Sequence, residues 1–140
     1  MDIIRRCQRR ARLRRSDGFT LIELLIVVAV IGILTAIGIA TYTTMQQSAR
    51  VAKAQADIRA IATAASHYLA HTGTIAPSIN SLMVTVTNPM GQTAGPFLGA
   101  IPTPPVSGSP TWSAYTYVPD VAGGTFPVTA TGDGTTVVVP

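Results

Sequence analysis

An unbroken apolar run followed by a long periodic one dominates the hydropathy pattern. Residues 24–40 read LLIVVAVIGILTAIGIA, with Thr35 as the single polar side chain. Added to residues 19–23, this gives more than the ~20 residues that span a bilayer as a helix. Gly32 and Gly38 lower helix propensity in water and permit close helix approach in a membrane. From Thr41 the helical period continues in a different composition. Met45, Ala49, Ala52, Ile58, Ile61, Ala65, Tyr68 and Leu69 recur mostly three or four apart, with Gln46, Gln47, Arg50, Lys53, Asp57 and Arg59 between them. That spacing predicts an amphipathic helix. Gly73 is a natural C-terminal stop, and Pro77 forbids continuation.

Beyond Gly73 the period changes. Gly, Pro, Ser and Thr are frequent, and short β-type runs stand at 82–87, 112–118, 125–131 and 135–139. Trp112, Tyr115 and Tyr117 suit strands. Residues 120–124 and Gly132-Asp133-Gly134 read as turns, the second at hairpin spacing. Pro102, Pro104, Pro105 and Pro110 mark a loop, because proline gives no ladder donor. The expected fold is α+β: a long N-terminal helix, membrane-spanning in its first half, packed on a small C-terminal antiparallel sheet of three or four strands. The expected segments are a basic leader at 1–18, a membrane helix at 19–42, its amphipathic continuation at 43–72 and a loop-rich β domain at 73–140.

Charge separates two parts of the chain. The net charge is +4. Arg5, Arg6, Arg9, Arg10, Arg12, Arg14 and Arg15 against Asp2 and Asp17 leave residues 1–18 at +5. Arg50, Lys53 and Arg59 against Glu23, Asp57, Asp120 and Asp133 leave the remainder at −1. A basic cluster directly before an apolar run fixes orientation by holding that end in the cytoplasm. The leader is therefore expected to orient the chain in a membrane, not to bind nucleic acid. The one cysteine, Cys7, lies in the leader, so residues 19–140 hold no disulfide. A small exported domain without disulfides relies on core packing, assembly or a metal.

Between leader and apolar run stands Gly18-Phe19-Thr20-Leu21-Ile22-Glu23-Leu24. A lone carboxylate at membrane depth costs roughly 2.5–3.5 kcal/mol on insertion scales, so Glu23 calls for a partner. The string G-F-T-L-I-E-L-L-I-V-V-A-V-I-G-I-L resembles the N-terminus of type IV pilin-like precursors, the class shared by type IV pilins and type II secretion pseudopilins. The resemblance implies cleavage after Gly18 by a membrane prepilin peptidase, methylation of the new terminus Phe19, and Glu23 as the assembly carboxylate. A freed α-amino group on Phe19 stands four residues before Glu23, and residues four apart share a helix face. Glu23 of one copy can then pair with Phe19 of the same chain or of a neighbour.

More of the chain is similar to the major pseudopilin. K-A-Q-A-D-I-R-A-I at 53–61, then Tyr68 and Thr72-Gly73, resembles the end of its helix. G-P-F-L at 95–98, Ile101-Pro102, the Y-x-Y of Tyr115 and Tyr117, and F-x-V-x-A-x-G-D-G at 126–134 resemble its distal part. The D-P-W-G common before the Y-x-Y in that family is replaced here by Thr103-Pro104-Pro105, with Trp112 further on. The resemblance implies a filament subunit, either of a type II secretion pseudopilus or of a type IV pilus serving adhesion, twitching motility or DNA uptake. Implied partners are further copies of itself, prepilin peptidase, minor pilins or pseudopilins, and an inner-membrane assembly platform. The implied location is the bacterial inner membrane, N-terminus cytoplasmic and C-terminal domain periplasmic, and then a filament. A membrane-anchored binding module that never polymerises is the alternative of another class.

Enzymatic chemistry finds little support. His67 and His71 share a helix face, but no H-E-x-x-H set accompanies them. Asp120 and Asp133 are the acids of the distal domain. Calcium takes six to eight oxygens, so these two carboxylates with backbone carbonyls would make a modest calcium site; turn formation is their commoner use. No cofactor is expected otherwise.

Overall fold

A computed structural model describes residues 18–140. The leader expected at 1–18 therefore lies, apart from Gly18, outside the described residues. The chain divides into two compact units, the second running Ala40–Pro140. One helix, α1 (Leu21–Thr72), contributes to both.

In the first unit the apolar residues of α1 have no cover. Leu21, Ile22, Leu24, Leu25, Ile26, Val27, Val28, Ile31, Ile33, Leu34, Ile37 and Ile39 are all exposed. By length and composition α1 can cross a membrane, and its most apolar window has no residue buried. Thr35, the polar residue of this stretch, donates its hydroxyl to the Ile31 carbonyl at 2.7 Å. That back-bond satisfies a hydroxyl which lipid would otherwise leave unpaired.

In the second unit α1 turns one face to a core. Ala54, Ile58, Ile61, Ala62, Ala64, Ala65 and Tyr68 are buried there, together with Ala76, Leu82, Trp112, Val128, Ala130 and Val137. The helix stops where the sequence says it should. Gly73 has φ +76 and donates its amide to the Leu69 carbonyl at 2.8 Å. This left-handed C-cap pairs one of the carbonyls a helix end leaves orphaned.

The β structure is five short strands: β1 (Val86–Thr87), β2 (Thr93–Ala94), β3 (Thr116–Tyr117), β4 (Val128–Gly132) and β5 (Thr135–Val139). β1 and β2 form an antiparallel pair, and β3-β4-β5 an antiparallel sheet in that order. The register pairs Val128 with Val139 and Gly132 with Thr135. Alternate residues of β4 (Val128, Ala130 and Gly132) are buried, the period-two pattern of a sheet with one packed face.

Three expected strands change in extent. The first two residues of the run at 82–87 end a 3₁₀ helix over Ile79–Met83, and two residues remain for β1. The cause is Leu82, which is fully buried and whose carbonyl accepts the amides of Phe97 and Leu98, each at 2.9 Å. That bond draws G-P-F-L inward, where Phe97 meets Tyr68 edge-on at 5.8 Å. A side chain at Gly95 (φ +106) would press on the Val84 carbonyl. The run at 112–118 pairs only at Thr116–Tyr117, because Trp112 leaves the strand path to be buried against Gly132. In the run at 125–131, Pro127 precedes β4, and Thr125 makes an isolated bridge to Asp120.

Ile58→Ala should lower the stability of this unit by about 2–5 kcal/mol. A urea titration of the full chain in detergent should show a lower midpoint with an unchanged slope; an unmoved midpoint would mean the helix face is not the core.

Candidate functional site: the N-terminal turn of α1 and the Asp133 clamp

The start of α1 is a reciprocal cap. The Thr20 amide and hydroxyl donate to Glu23 Oε2 at 3.0 and 2.8 Å, and the Glu23 amide donates to Thr20 Oγ1 at 3.2 Å. Thr20 precedes the first helical residue and Glu23 is the third within it, so T-L-I-E is a capping box. The carboxylate also faces the positive end of the helix dipole. Phe19 is 87% exposed and Gly18 has open space around it. The sequence reading assigned Glu23 the Phe19 amine as partner. The structure adds Thr20, which the S/T-x-x-E spacing could have disclosed.

In the second unit one cation and several neutral donors converge on Asp133. Its carboxylate accepts Arg50 Nε at 2.6 Å and Arg50 Nη2 at 3.1 Å, the Ser109 amide at 3.0 Å and the Trp112 indole N–H at 3.0 Å. Its amide donates to the Pro110 carbonyl at 2.8 Å, and its carbonyl accepts Gln47 Nε2 at 3.2 Å. One turn residue thus ties the β4–β5 hairpin to α1 and to the proline-rich loop. The two-residue connection explains how it gets there. Asp133 (φ 49) and Gly134 (φ 70) form a turn with both central residues left-handed, the geometry Asp-Gly favours. A side chain at Gly132 would collide with the Trp112 ring, and one at Gly108 with the Asp133 carboxylate. Two glycines therefore make room for the clamp.

The Asp133 side chain is 4% exposed and that of Arg50 19%. The Arg50 guanidinium holds the Asp133 carboxyl down at about 2 despite its burial, with help from the Ser109 and Trp112 donors. Arg50 is raised in turn, chiefly by its hydrogen bond to Asp133.

A second ionic cluster lies along the same helix. Lys53 Nζ reaches Asp57 at 2.6 Å and the Thr103 carbonyl at 2.5 Å, and the Tyr115 hydroxyl donates to Asp57 at 2.5 Å. Burial first, and then that hydrogen bond, push the Tyr115 hydroxyl well above its ordinary range.

The calcium candidates are not brought together. Asp120 sits beyond the end where β3 joins β4, and Asp133 at the opposite end of β4. Asp120 closes a turn by accepting the Gly123 amide at 2.9 Å. Asp133 is engaged by Arg50, whose charge a cation there would have to displace. Among the described residues no three His, Cys, Asp or Glu side chains group together. His71 Nε2 stands 3.1 Å from the Gln92 carbonyl, and His67 is exposed.

A family model described as the prokaryotic N-terminal methylation motif matches residues 13–39. In this N-terminal stretch the chain is similar to type IV pilin-like proteins. It is similar to the type IV major pilin protein PilA of Myxococcus xanthus, 48% identical over 50 residues, 36% of this chain and 23% of that protein. A fimbrial protein of Pseudomonas aeruginosa is 47% identical over 53 residues, 38% of this chain and 34% of its own length. The type II secretion system core protein G of Pseudomonas aeruginosa is 42% identical over 55 residues, 39% of each chain. The matched stretches thus span well under half of these relatives. No solved structure matches the chain. The α+β arrangement of a long helix with small antiparallel sheets is the fold expected of a pilin-like chain.

Asp133→Asn should lower the melting temperature of the full chain at pH 7, by roughly 5 °C or more. The folded carboxyl titrates near 2, below its ordinary 3.8. Its stabilisation is therefore complete above about pH 4 and lost as pH falls toward 2. Thermal melts at stepped pH should show the difference between wild type and Asp133→Asn shrinking over that window. A constant difference would rule out the clamp as the titrating element.

Proposed function

We propose that the chain is the structural subunit of a type IV pilus-like filament. Held in the bacterial inner membrane by α1, with its basic leader cytoplasmic, it is cut after Gly18 by prepilin peptidase and methylated on Phe19. The observation that carries this reading is a coincidence of position. The methylation motif at 13–39 covers the stretch where α1 is apolar and unburied and where Glu23 is the sole acid. A helix of this kind is stable in lipid or among copies of itself, so it can pass from one to the other.

Glu23 then sets register. Capped by Thr20, the carboxylate has hydrogen-bond donors of its own chain and, among the described residues, no cation. A neighbour's Phe19 α-amino group supplies one once cleavage frees it. Such a pair in hydrocarbon repays its desolvation only when well aligned, which makes it a device of specificity more than of strength.

Within this class we place the chain as a major pseudopilin of type II secretion. The motifs at 53–61, 95–98 and 126–134 support that placing, together with the similarity to core protein G. The similarity to a major pilin and a fimbrial protein supports the pilus alternative. Deleting the gene separates them: loss of protein export with surface fibres intact fits the pseudopilin, and the converse fits the pilin.

Gly18→Val should leave a full-length precursor, seen as an unshifted band on an immunoblot of membranes. Glu23→Ala should be processed normally yet yield no filaments in sheared fractions or micrographs. Normal filaments from Glu23→Ala would refute the register role.

A further inference from the structure

Ionic bookkeeping in the unit Ala40–Pro140 leaves two charges over. Arg50 pairs with Asp133 and Lys53 with Asp57. Among the described residues Arg59 and Asp120 are the charged Lys, Arg, Asp or Glu side chains of this unit without an ion-pair partner, and both are exposed. They are opposite in sign, one of each. Asp120 is held in place, since its Oδ1 accepts the Gly123 amide and its backbone bridges Thr125. Exposed Val118 (51%) and Val121 (76%) flank it. Around Arg59 the helix surface is low, with Ala56, Ala60 and Thr63 exposed.

The two stand at different levels of one chain and do not pair within it. Val121, next to Asp120, lines a pocket with Leu69 and Gly73 at the C-terminal end of α1. Arg59 lies ten residues before Leu69, about 15 Å along the helix at 1.5 Å per residue. Two complementary patches at different levels of one chain make a heterologous contact. Repeated between parallel copies displaced along the helix, it generates an open helical polymer and not a closed dimer.

We propose that Arg59 of one copy and Asp120 of the next form an ion pair between subunits, with Val118 and Val121 seated on the shallow face around Arg59. The occupant of the Asp120 loop is thus a second copy of this chain. This rests on the filament reading above and adds to it a contact in the distal unit, away from Phe19 and Glu23. Exposed pairs of this kind fix register and partner more than affinity.

Charge reversal tests it in the full chain. Arg59→Asp and Asp120→Arg should each cut filament yield several-fold while processed subunit accumulates normally in membranes. Arg59→Asp with Asp120→Arg in one chain should restore the yield. Because residues 19–140 contain no cysteine, Arg59→Cys with Asp120→Cys offers a second readout that does not depend on yield. A short bis-maleimide cross-linker, which bridges the gap an Arg–Asp pair leaves and a direct disulfide does not, should give a ladder of cross-linked subunits. Reversals that assemble like wild type, a double variant no better than the singles, or cysteine filaments that do not cross-link would overturn the pair. A wild-type chain that forms no filament would overturn the filament reading as well, whereas normal wild-type filaments with no response to reversal sink the pair alone.

Discussion

Everything in this chain depends on a stretch of helix that its own protein does not cover. Removing one Leu or Ile side chain from water is worth about 1.5–3 kcal/mol, and residues 21–39 of α1 present such side chains on every face. The sum far exceeds the roughly 2.5–3.5 kcal/mol that one carboxylate costs at membrane depth. Glu23 can thus be carried into an apolar environment, provided it has hydrogen-bond partners there. The Thr20–Glu23 box supplies them and at the same time satisfies amides that the helix start would leave unpaired. In the proposed filament, this capped carboxylate would meet the α-amino group of a neighbour.

The distal unit meets a different constraint. It has no disulfide and only a modest core, so its loops have to be fastened by polar contacts. Asp133 does most of that fastening. From a tight Asp-Gly turn it reaches α1 through Arg50 and Gln47, and the proline-rich loop through Ser109, Pro110 and Trp112. The Lys53–Asp57–Tyr115 cluster repeats the arrangement further along α1, again linking helix, loop and sheet. Four of the six charged side chains of the unit pair inside it, which leaves Arg59 and Asp120 over.

Features encoded locally were legible in the sequence. The apolar run, the Gly73 stop and the Gly132-Asp133-Gly134 hairpin each rest on residues next to one another, and each stands where the pattern puts it. The Thr20 cap is equally local, an S/T-x-x-E spacing at a helix start whose Glu also stands at the rim of an apolar run. The strand run at 82–87 was not legible, because burial of Leu82 and its bonds to Phe97 and Leu98 override a β-type pattern. Nor was the Asp133 clamp. Its partner Arg50 is 83 residues away, and in the sequence both look like surface charges, one on an amphipathic helix and one in a turn. The same blindness to distant partners made Asp120 and Asp133 resemble a pair of calcium ligands, although they stand at opposite ends of β4.

The reading of the chain as a processed filament subunit turns on one covalent event at its N-terminal junction. Intact mass and N-terminal sequencing of the protein from native membranes observe that event directly. The expected product begins at Phe19 and carries one added methyl group. A chain still beginning at Met1, in cells whose prepilin peptidase is active, would contradict it and leave a membrane-anchored protein that does not polymerise.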